Sequence, residues 1–253
     1  IEDAAQGAGG TLHGDPLGAL GDLSILSFGR GKGTTGGNGG ALLSRSPHWN
    51  ERVESLAADR RTAPAGWRDL ASAAAQWALG RPSLYAIPSS LPGLALGEMV
   101  YHPAREPCGL SLAAATLVER ALELDNAEVA ARRVNAAAVA AVVRWDASLV
   151  AVRPVPGSVP GYLRVPVLDR AGRGQCPALG AMRGYPLTLL EQPELSPCLM
   201  GAEPPTPGAH ELRTRLLTLP VHSMVTRDDI SALSMWLDRP ARNRPTTSPE
   251  HAP

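Results

Sequence analysis

Residues 27–40 read SFGRGKGTTGGNGG, a segment in which seven of fourteen positions are glycine. The segment also contains Lys32, which is the only lysine among the 24 basic residues of the chain. A guanidinium stays protonated and cannot form an imine, whereas a lysine amine can lose its proton and attack a carbonyl carbon. Lys32 is therefore the first candidate for covalent chemistry. The alternative is an arginine-rich chain that kept one lysine on an ordinary surface loop.

Two strand-like segments flank this glycine-rich loop, and their presence argues against familiar nucleotide-binding motifs. Leu23–Phe28 and Gly40–Ser44 are short apolar runs of the kind that form strands. The Gly31–Gly36 spacing matches a dinucleotide fingerprint, but that motif requires a helix to follow, and each glycine costs a helix about 1 kcal/mol relative to alanine. A phosphate-binding P-loop is also disfavoured, because Gly33 follows Lys32 where Ser or Thr is required.

The composition of the chain argues against several classes of protein. Its 253 residues are 44% hydrophobic with a formal net charge of +0, so the chain can bury a core and has no bulk attraction to nucleic acid or anionic membranes. The three cysteines and six histidines lack zinc-site spacing, so no metal is expected. We also expect no membrane span and a cytoplasmic location, because no secretory signal opens the chain and prolines interrupt its long uncharged run.

Chemistry-bearing residues also stand at the end of the first strand-like segment. Ile1–Gln6 places Asp3 near the carboxyl end of a strand, where α/β sheets bind ligands, although Asp3 could instead cap a helix. An aldehyde cofactor held by Lys32 would need a carboxylate near its pyridine nitrogen, a hydrogen-bonding group near its phenolate and a hydroxyl near its phosphate. Asp3, Gln6 and Ser27 provide one group of each kind.

Six segments occur in a fixed order along the chain: EDAAQ at 2–6, GALGD at 18–22, SFGRGK at 27–32, GGAL at 39–42, RLLTLPVH at 215–222 and TRDDI at 226–230. This series resembles the DegT/StrS-type sugar aminotransferases, which are fold type I enzymes dependent on pyridoxal 5′-phosphate (PLP). The resemblance implies an α/β fold, made of the remainder of a fold type I large domain and a small C-terminal α/β domain. Residues 1–108 would be the C-terminal part of the PLP-binding domain. Residues 109–239 would be bridging helices and the small domain, and residues 240–253 a disordered tail.

The same resemblance implies a role for each candidate site residue. Lys32 would bind the PLP aldehyde covalently and, once released, would act as a general base. Asp3 would pair with the pyridine nitrogen, and Gln6 would bond the phenolic oxygen. Ala5 would pack against the face of the ring, and Ser27 would bond the phosphate.

The implied activity is the transfer of an amino group, usually from glutamate, to a keto group of a nucleotide-linked sugar. Such an enzyme would serve polysaccharide, cell-envelope or secondary-metabolite biosynthesis, and would be a homodimer when complete. Because the family's large domain begins well before Glu2, we expect an N-terminal truncation. The alternatives are a PLP-binding regulator without turnover, an inactive fragment of the enzyme, and a phosphate-binding module that uses the glycine-rich loop alone.

Helical periodicity predicts three helices in the first part of the chain. The first covers residues 47–61. The second covers residues 67–79 and carries an apolar stripe, expected in the core, of Trp67, Leu70, Ala74 and Trp77. The third covers residues 110–145, where Asp125–Asn126 could divide it in two and Arg132–Arg133 is expected on a solvated face. The proline-rich residues 81–107 are expected to be irregular.

The C-terminal part is predicted to alternate strands and helices. The predicted elements are strands over 149–155 and 162–168 joined by a turn, a short helix over 175–183, a helix over 209–216, a strand over 217–220, and a helix ending at Leu237 with Thr226 as its N-cap.

Overall fold

The computed structural model describes residues 1–29, 31–58, 66–79, 108–199 and 205–239, which form a mixed α/β structure. The described strands are β1 (Glu2–Asp3), β2 (Thr11–Leu12), β3 (Asp15–Pro16), β4 (Leu23–Ser27), β5 (Gly40–Ser44), β6 (Leu149–Ala151), β7 (Ser158–Val159), β8 (Val165–Asp169), β9 (Met182–Arg183) and β10 (Leu216–Leu219). The described α-helices are α1 (Pro47–Ala58), α2 (Trp67–Leu79), α3 (Leu112–Val142), α4 (Pro207–Arg215) and α5 (Arg227–Leu237). Short 3₁₀ helices lie at Pro177–Leu179, Leu189–Glu191 and Pro193–Cys198.

The first sheet has the order β1-β4-β5 and positions the glycine-rich loop. β1 runs parallel to β4, with Asp3 paired to Ile25. β4 runs antiparallel to β5, with Ser27 paired to Gly40. Residues 28–39 therefore form a loop between antiparallel neighbours, as the strand predictions required. Because β1 and β4 are parallel, their carboxyl ends lie at the same edge of the sheet.

The second sheet has the order β6-β8-β10-β9 and is antiparallel throughout. It packs with α3 and α5 around the main hydrophobic core, in which Val139, Val167 and Leu219 are fully buried. The core residues are Ala136, Val139, Val143, Leu149, Val167, Ala181, Leu217, Leu219, Val221, Val225, Ile230, Leu233 and Leu237. Helix α5 begins at the predicted Thr226 cap, whose hydroxyl accepts from the Asp229 backbone N–H.

A small third sheet, β3-β2-β7, ties the N-terminal segment to the C-terminal half. Thr11 pairs with Val159 in a region where the sequence predicted only a turn. The two chain segments also meet at Gly161, where a Cβ atom would lie 2.1 Å from the carbonyl oxygen of Ala8. Only glycine permits such a close approach of two backbones.

Helix α3 is continuous over 31 residues, about 46 Å, so the proposed division at Asp125–Asn126 is wrong. Ser111 caps its start by accepting a hydrogen bond from the Ala114 backbone N–H. Asp125 lies within the helix, and its carboxylate accepts from the side chain of Thr34 in the glycine-rich loop. Local sequence preference assigned Asp125 to a helix end, but in the structure its side chain makes a tertiary contact from within the helix.

Helix α2 has the predicted bounds, but the prediction that its aromatic stripe forms core is wrong. Trp67 is 64% exposed and Trp77 is 66% exposed. The helix instead buries Asp69, whose carboxylate accepts from the Ser111 hydroxyl at the start of α3. On the same side, the Ser72 hydroxyl donates to the carbonyl of Gly37. Polar contacts to the loop and to α3 therefore set the orientation of α2.

The predicted short helix over 175–183 is also wrong. The segment forms a single 3₁₀ turn at Pro177–Leu179 and then strand β9. Gly180 ends the turn in the left-handed conformation, with φ of 67°, and mutual hydrogen bonds between Cys176 and Ala181 close it. Predictions for residues 59–61, 81–107 and 240–253 lie outside the described residues. No helix among the described residues is long and apolar enough to cross a membrane.

Candidate functional site

The predicted residues Asp3 and Ser27 lie at the carboxyl ends of the neighbouring parallel strands β1 and β4. The Asp3 carboxylate accepts from the Ala5 backbone N–H at 3.0 Å and is otherwise exposed. A turn follows it, so the helix-cap alternative for Asp3 is wrong. The Ser27 hydroxyl oxygen accepts from the Gly29 backbone N–H at 3.4 Å, and its own proton can still be donated.

The turn after β1 places the other two residues of the EDAAQ motif. The backbone N–H of Ala4 donates to Ile25 at 3.0 Å and extends the ladder between β1 and β4 by one residue. Ala4 is buried, whereas Ala5 is half-buried and Gln6 is exposed. The Gln6 side-chain amide donates to the hydroxyl of Tyr185 at 3.3 Å. The Gln6 amide is predicted to face the cofactor. Tyr185, which is distant in sequence, orients this amide.

Lys32 lies in a tight turn of the glycine-rich loop and is half-buried. Its backbone N–H donates to the carbonyl of Gly29 at 3.3 Å, and Gly31 between them has a φ of 72°, which favours glycine. Phe28, at the base of the loop, accepts from the Gly36 backbone N–H at 2.9 Å. The loop is thus closed at its base, directly after Ser27, and Lys32 lies in the turn within it.

An open depression of about 560 Å³ lies between this loop and α2. Its lining residues are Gly29, Gly37, Asn38, Asp69 and Ser72. The lining is mostly polar, and its first residue in the chain, Gly29, lies two residues after Ser27. None of the residues predicted from the family resemblance lines this depression.

Glu2 is a structural residue of the site for which the sequence analysis assigned no role. Its carboxylate accepts hydrogen bonds from three backbone N–H groups and one hydroxyl, namely those of Gly18, Leu20, Gly21 and Ser24. Partial burial would raise the pKa of Glu2, but these four donors together lower that pKa below its ordinary value of 4.5. Glu2 therefore fixes the segment that leads into β4, next to Asp3.

We expect Glu2→Gln to reduce the dependence of stability on pH in the acid range. Because the pKa of Glu2 is lower in the folded chain than in the unfolded chain, its contribution is complete above pH 4.5 and is lost as the pH falls through the folded value. Urea unfolding at several values between about pH 3 and pH 7 should show a shallower slope for the variant. The exposed Glu51→Gln serves as the control. Equal slopes for Glu2→Gln and the unmodified chain would contradict the assignment.

The expectation that Arg132 and Arg133 face solvent is wrong. Arg132 is only 1% exposed. The guanidinium of Arg133 donates to the carbonyl oxygens of Pro160, at 3.1 Å, and Gly9, at 2.8 Å. One feature of the sequence could have indicated that Arg132 is paired. Glu128 lies four residues before Arg132, and that spacing places both side chains on one helix face. The backbone carbonyl partners could not be read from the sequence.

Comparison with known proteins agrees with the resemblance found in the sequence. Residues 1–69 match the profile of the DegT/DnrJ/EryC1/StrS aminotransferase family. This segment is therefore similar to that family. An L-glutamine:2-deoxy-scyllo-inosose aminotransferase of Streptoalloteichus tenebrarius is 32% identical over 133 residues, which are 53% of this chain and 26% of that protein. A protein of the same description from Streptomyces lividus is 33% identical over 144 residues, 57% of this chain and 29% of that protein.

Several solved structures share the fold of this chain. A family aminotransferase from Brucella abortus superposes with a TM-score of 0.64 at 19% identity, over 93% of this chain and 55% of that one. DesI, solved with its TDP-sugar product, superposes with a TM-score of 0.63 at 19% identity, over 93% of this chain and 53% of that one. The PMP form of the putative sugar aminotransferase Spr1654 from Streptococcus pneumoniae superposes with a TM-score of 0.64 at 14% identity, over 93% of this chain and 57% of that one. This chain thus spans about half the length of these solved proteins and has a partial fold type I architecture.

Proposed function

We propose that this chain is part of a PLP-dependent aminotransferase that moves an amino group, from glutamate, to a keto group of a nucleotide-linked sugar. The observation that carries the proposal is the convergence of Asp3 and Ser27 at one sheet edge, with Lys32 in the loop that leaves it. The proposal includes a cytoplasmic homodimer that serves polysaccharide or secondary-metabolite biosynthesis. The exposed tryptophans of α2 support an interface with a second copy.

The described residues fit PLP by the chemistry of their groups. Asp3 offers an exposed carboxylate at a strand end, which would pair with a protonated pyridine nitrogen. Ser27 offers a hydroxyl proton to a phosphate, beside the backbone N–H groups of a glycine-rich loop. Gln6 has a side-chain amide held by Tyr185, and Ala5 presents a small side chain that leaves room for a ring. These four residues would hold the cofactor.

PLP, when bound, supplies an electron sink that stabilises negative charge on the substrate carbon. The residues of this chain do the remaining work. Lys32 would hold the cofactor aldehyde and then carry a proton on its Nζ atom to and from the substrate carbon. Asp3 would keep the ring nitrogen charged, and Ser27 would fix the phosphate, so that the reacting carbon stays within reach of Lys32.

The relatives favour a second candidate substrate pair. Two of them are described as L-glutamine:2-deoxy-scyllo-inosose aminotransferases, at 32% and 33% identity. Their acceptor is a cyclic ketone without a nucleotide, and their donor is glutamine. The same Lys32 chemistry would serve both pairs, because each acceptor presents a keto carbon. The difference lies in the groups that bind the rest of the substrate.

Borohydride reduction tests the cofactor assignment on the unmodified chain. PLP is added, the imine is reduced, and peptides are mapped by mass spectrometry. We expect near-complete modification at Lys32, because Lys32 is the only lysine of the chain, and little modification of the N-terminal amine. The urea-unfolded chain is the control for unspecific labelling. Absence of the Lys32 adduct, or equal labelling of folded and unfolded chains, would contradict the proposal.

A donor and acceptor screen tests the substrate. The chain with PLP is incubated with glutamate and a keto nucleotide sugar, and separately with glutamine and 2-deoxy-scyllo-inosose. Mass spectrometry measures the aminated product. Product from the first pair supports the principal proposal, and product from the second pair alone supports the second candidate. Lys32 labelling without product from either pair would favour a PLP-binding protein without turnover.

A further inference from the structure

Arg132 is a buried charge whose hydrogen-bonding capacity is mostly unused. Its side chain is 2% exposed, and its Nε and Nη1 atoms have no hydrogen-bond partner among the described residues. Two carboxylates lie nearby but beyond hydrogen-bonding distance, since Nη2 is 3.8 Å from Asp125 Oδ1 and Nε is 3.6 Å from Glu128 Oε1. Burying a guanidinium is costly unless it is paired, so its position in the fold calls for an explanation.

The side of Arg132 that faces away from its own helix meets the glycine-rich loop directly after Lys32. Nη2 lies 3.5 Å from the carbonyl oxygen of Gly33. The next residue, Thr34, is 7% exposed, and its hydroxyl donates to Asp125 at 2.9 Å. Arg132 and Asp125 are one ion pair on α3, so this pair contacts two consecutive loop residues.

Gly33 is also confined from a second direction. A Cβ atom on Gly33 would lie 2.9 Å from Nη1 of Arg132 and 2.7 Å from Cβ of Ala8. Ala8 follows the EDAAQ segment that carries Asp3, Ala5 and Gln6 by two residues. The backbone after Lys32 is therefore held between α3 and the turn that follows β1, where a larger residue than glycine would force Ala8 or Arg132 to shift.

We propose that Arg132, together with Asp125, is a positioning residue that fixes the loop at Gly33–Thr34 and thereby the location of the Lys32 amine. The inference rests on the proposed function of Lys32. Glycine-rich loops are costly to order because glycine loses the most backbone freedom on folding. A charged pair on a rigid 31-residue helix supplies a fixed support for the middle of such a loop. Without the guanidinium, the loop around Lys32 would be mobile, and the Lys32 amine would no longer have a fixed position.

Native-state proteolysis tests this inference without cofactor. A lysine-specific protease can cut the 253-residue chain only after Lys32, so its rate reports exposure of this loop, and urea unfolding separates local opening from a change in global stability. We expect Arg132→Met to increase the cleavage rate by about tenfold or more and Thr34→Val by about threefold. Arg133→Met is the matched control, because Arg133 is adjacent but binds Gly9 and Pro160 instead. Its rate should change less than about twofold.

Trapping of PLP provides a readout that a purely structural role would not move. The Lys32 adduct is compared with the adduct at the N-terminal amine of the same molecules. We expect Arg132→Met to lower this ratio by about tenfold, while Arg133→Met leaves it unchanged. Urea unfolding followed by tryptophan fluorescence verifies that each variant is folded. If Arg132→Met does not fold, the cleavage rate of Thr34→Val tests the positioning role. This variant keeps the guanidinium and removes only the hydroxyl that donates to Asp125.

The outcomes separate this inference from the proposed function. Equal cleavage rates for Arg132→Met, Thr34→Val and the unmodified chain would overturn the positioning role, whatever the result of PLP trapping. Faster cleavage in both variants, with no Lys32 adduct in the unmodified chain, would support control of the loop by Arg132 and overturn the aminotransferase proposal instead.

Discussion

Lys32→Ala is expected to abolish both PLP attachment and amino transfer, with a loss in turnover of at least about 10³-fold. The physical reason is that no other residue of the chain carries a side-chain primary amine. An arginine cannot replace it, since a guanidinium stays protonated at neutral pH and cannot act as a base. Lys32→Arg should therefore be as inactive as Lys32→Ala, although it preserves the charge. Peptide mapping after borohydride reduction and an assay of the aminated product measure the two losses.

Two further variants sharpen the test of Lys32. Arg120 is an exposed residue of α3 outside the site, and Arg120→Ala should keep full labelling and turnover. Asp3→Asn should keep part of the labelling at Lys32 but lose turnover by about 10²-fold or more, because an amide cannot stabilise a protonated pyridine nitrogen. Turnover in Lys32→Ala within tenfold of the unmodified chain would rule out its assigned role.

Leu219→Ala is expected to lower the free energy of unfolding by about 3 kcal/mol. Leu219 is fully buried in β10, the strand that lies between β8 and β9 in the second sheet, and belongs to the core shared with α3 and α5. Removing its three outer carbons leaves a cavity in a tightly packed region that cannot fully collapse. Urea denaturation at neutral pH, followed by tryptophan fluorescence, measures the change.

Leu212 on the neighbouring helix α4 provides the matched control. It is 46% exposed, so Leu212→Ala should cost no more than about 1 kcal/mol. A loss below about 1 kcal/mol for Leu219→Ala, or equal losses for the two variants, would show that the second sheet does not carry the stability attributed to it.

The strands around the candidate site were predictable because their signals are local. The apolar run before the glycine-rich loop and its resumption at Gly40 predicted β4 and β5 almost to the residue. Asp3 was expected at a strand end and lies there. The Thr226 cap followed from a hydroxyl placed three residues before an aspartate at a helix start. Each of these features depends on neighbours within a few positions in the chain.

Two of the predictions that were wrong concern which face of a helix is buried. Trp67 and Trp77 have helical spacing, and periodicity assigns such a stripe to the core. The described structure buries Asp69 instead, because Ser111, the N-cap of α3, supplies a hydroxyl for its carboxylate. Adjacent arginines are normally solvated, yet Arg132 is buried against Gly33. Both outcomes depend on partners 42 and 99 residues away in sequence.

The sequence by itself determined the mixed α/β class, the resemblance of its N-terminal motifs to a family and the single amine suited to covalent chemistry, because these follow from residue type and short-range order. Only the tertiary structure decided that β1 and β4 run parallel and bring Asp3 and Ser27 to one edge. It also decided that Glu2 binds the backbone that leads into β4 and that Arg132 lies against Gly33. Strand pairing and the partners of buried charges are long-range choices, settled by which groups can satisfy one another once the chain is compact.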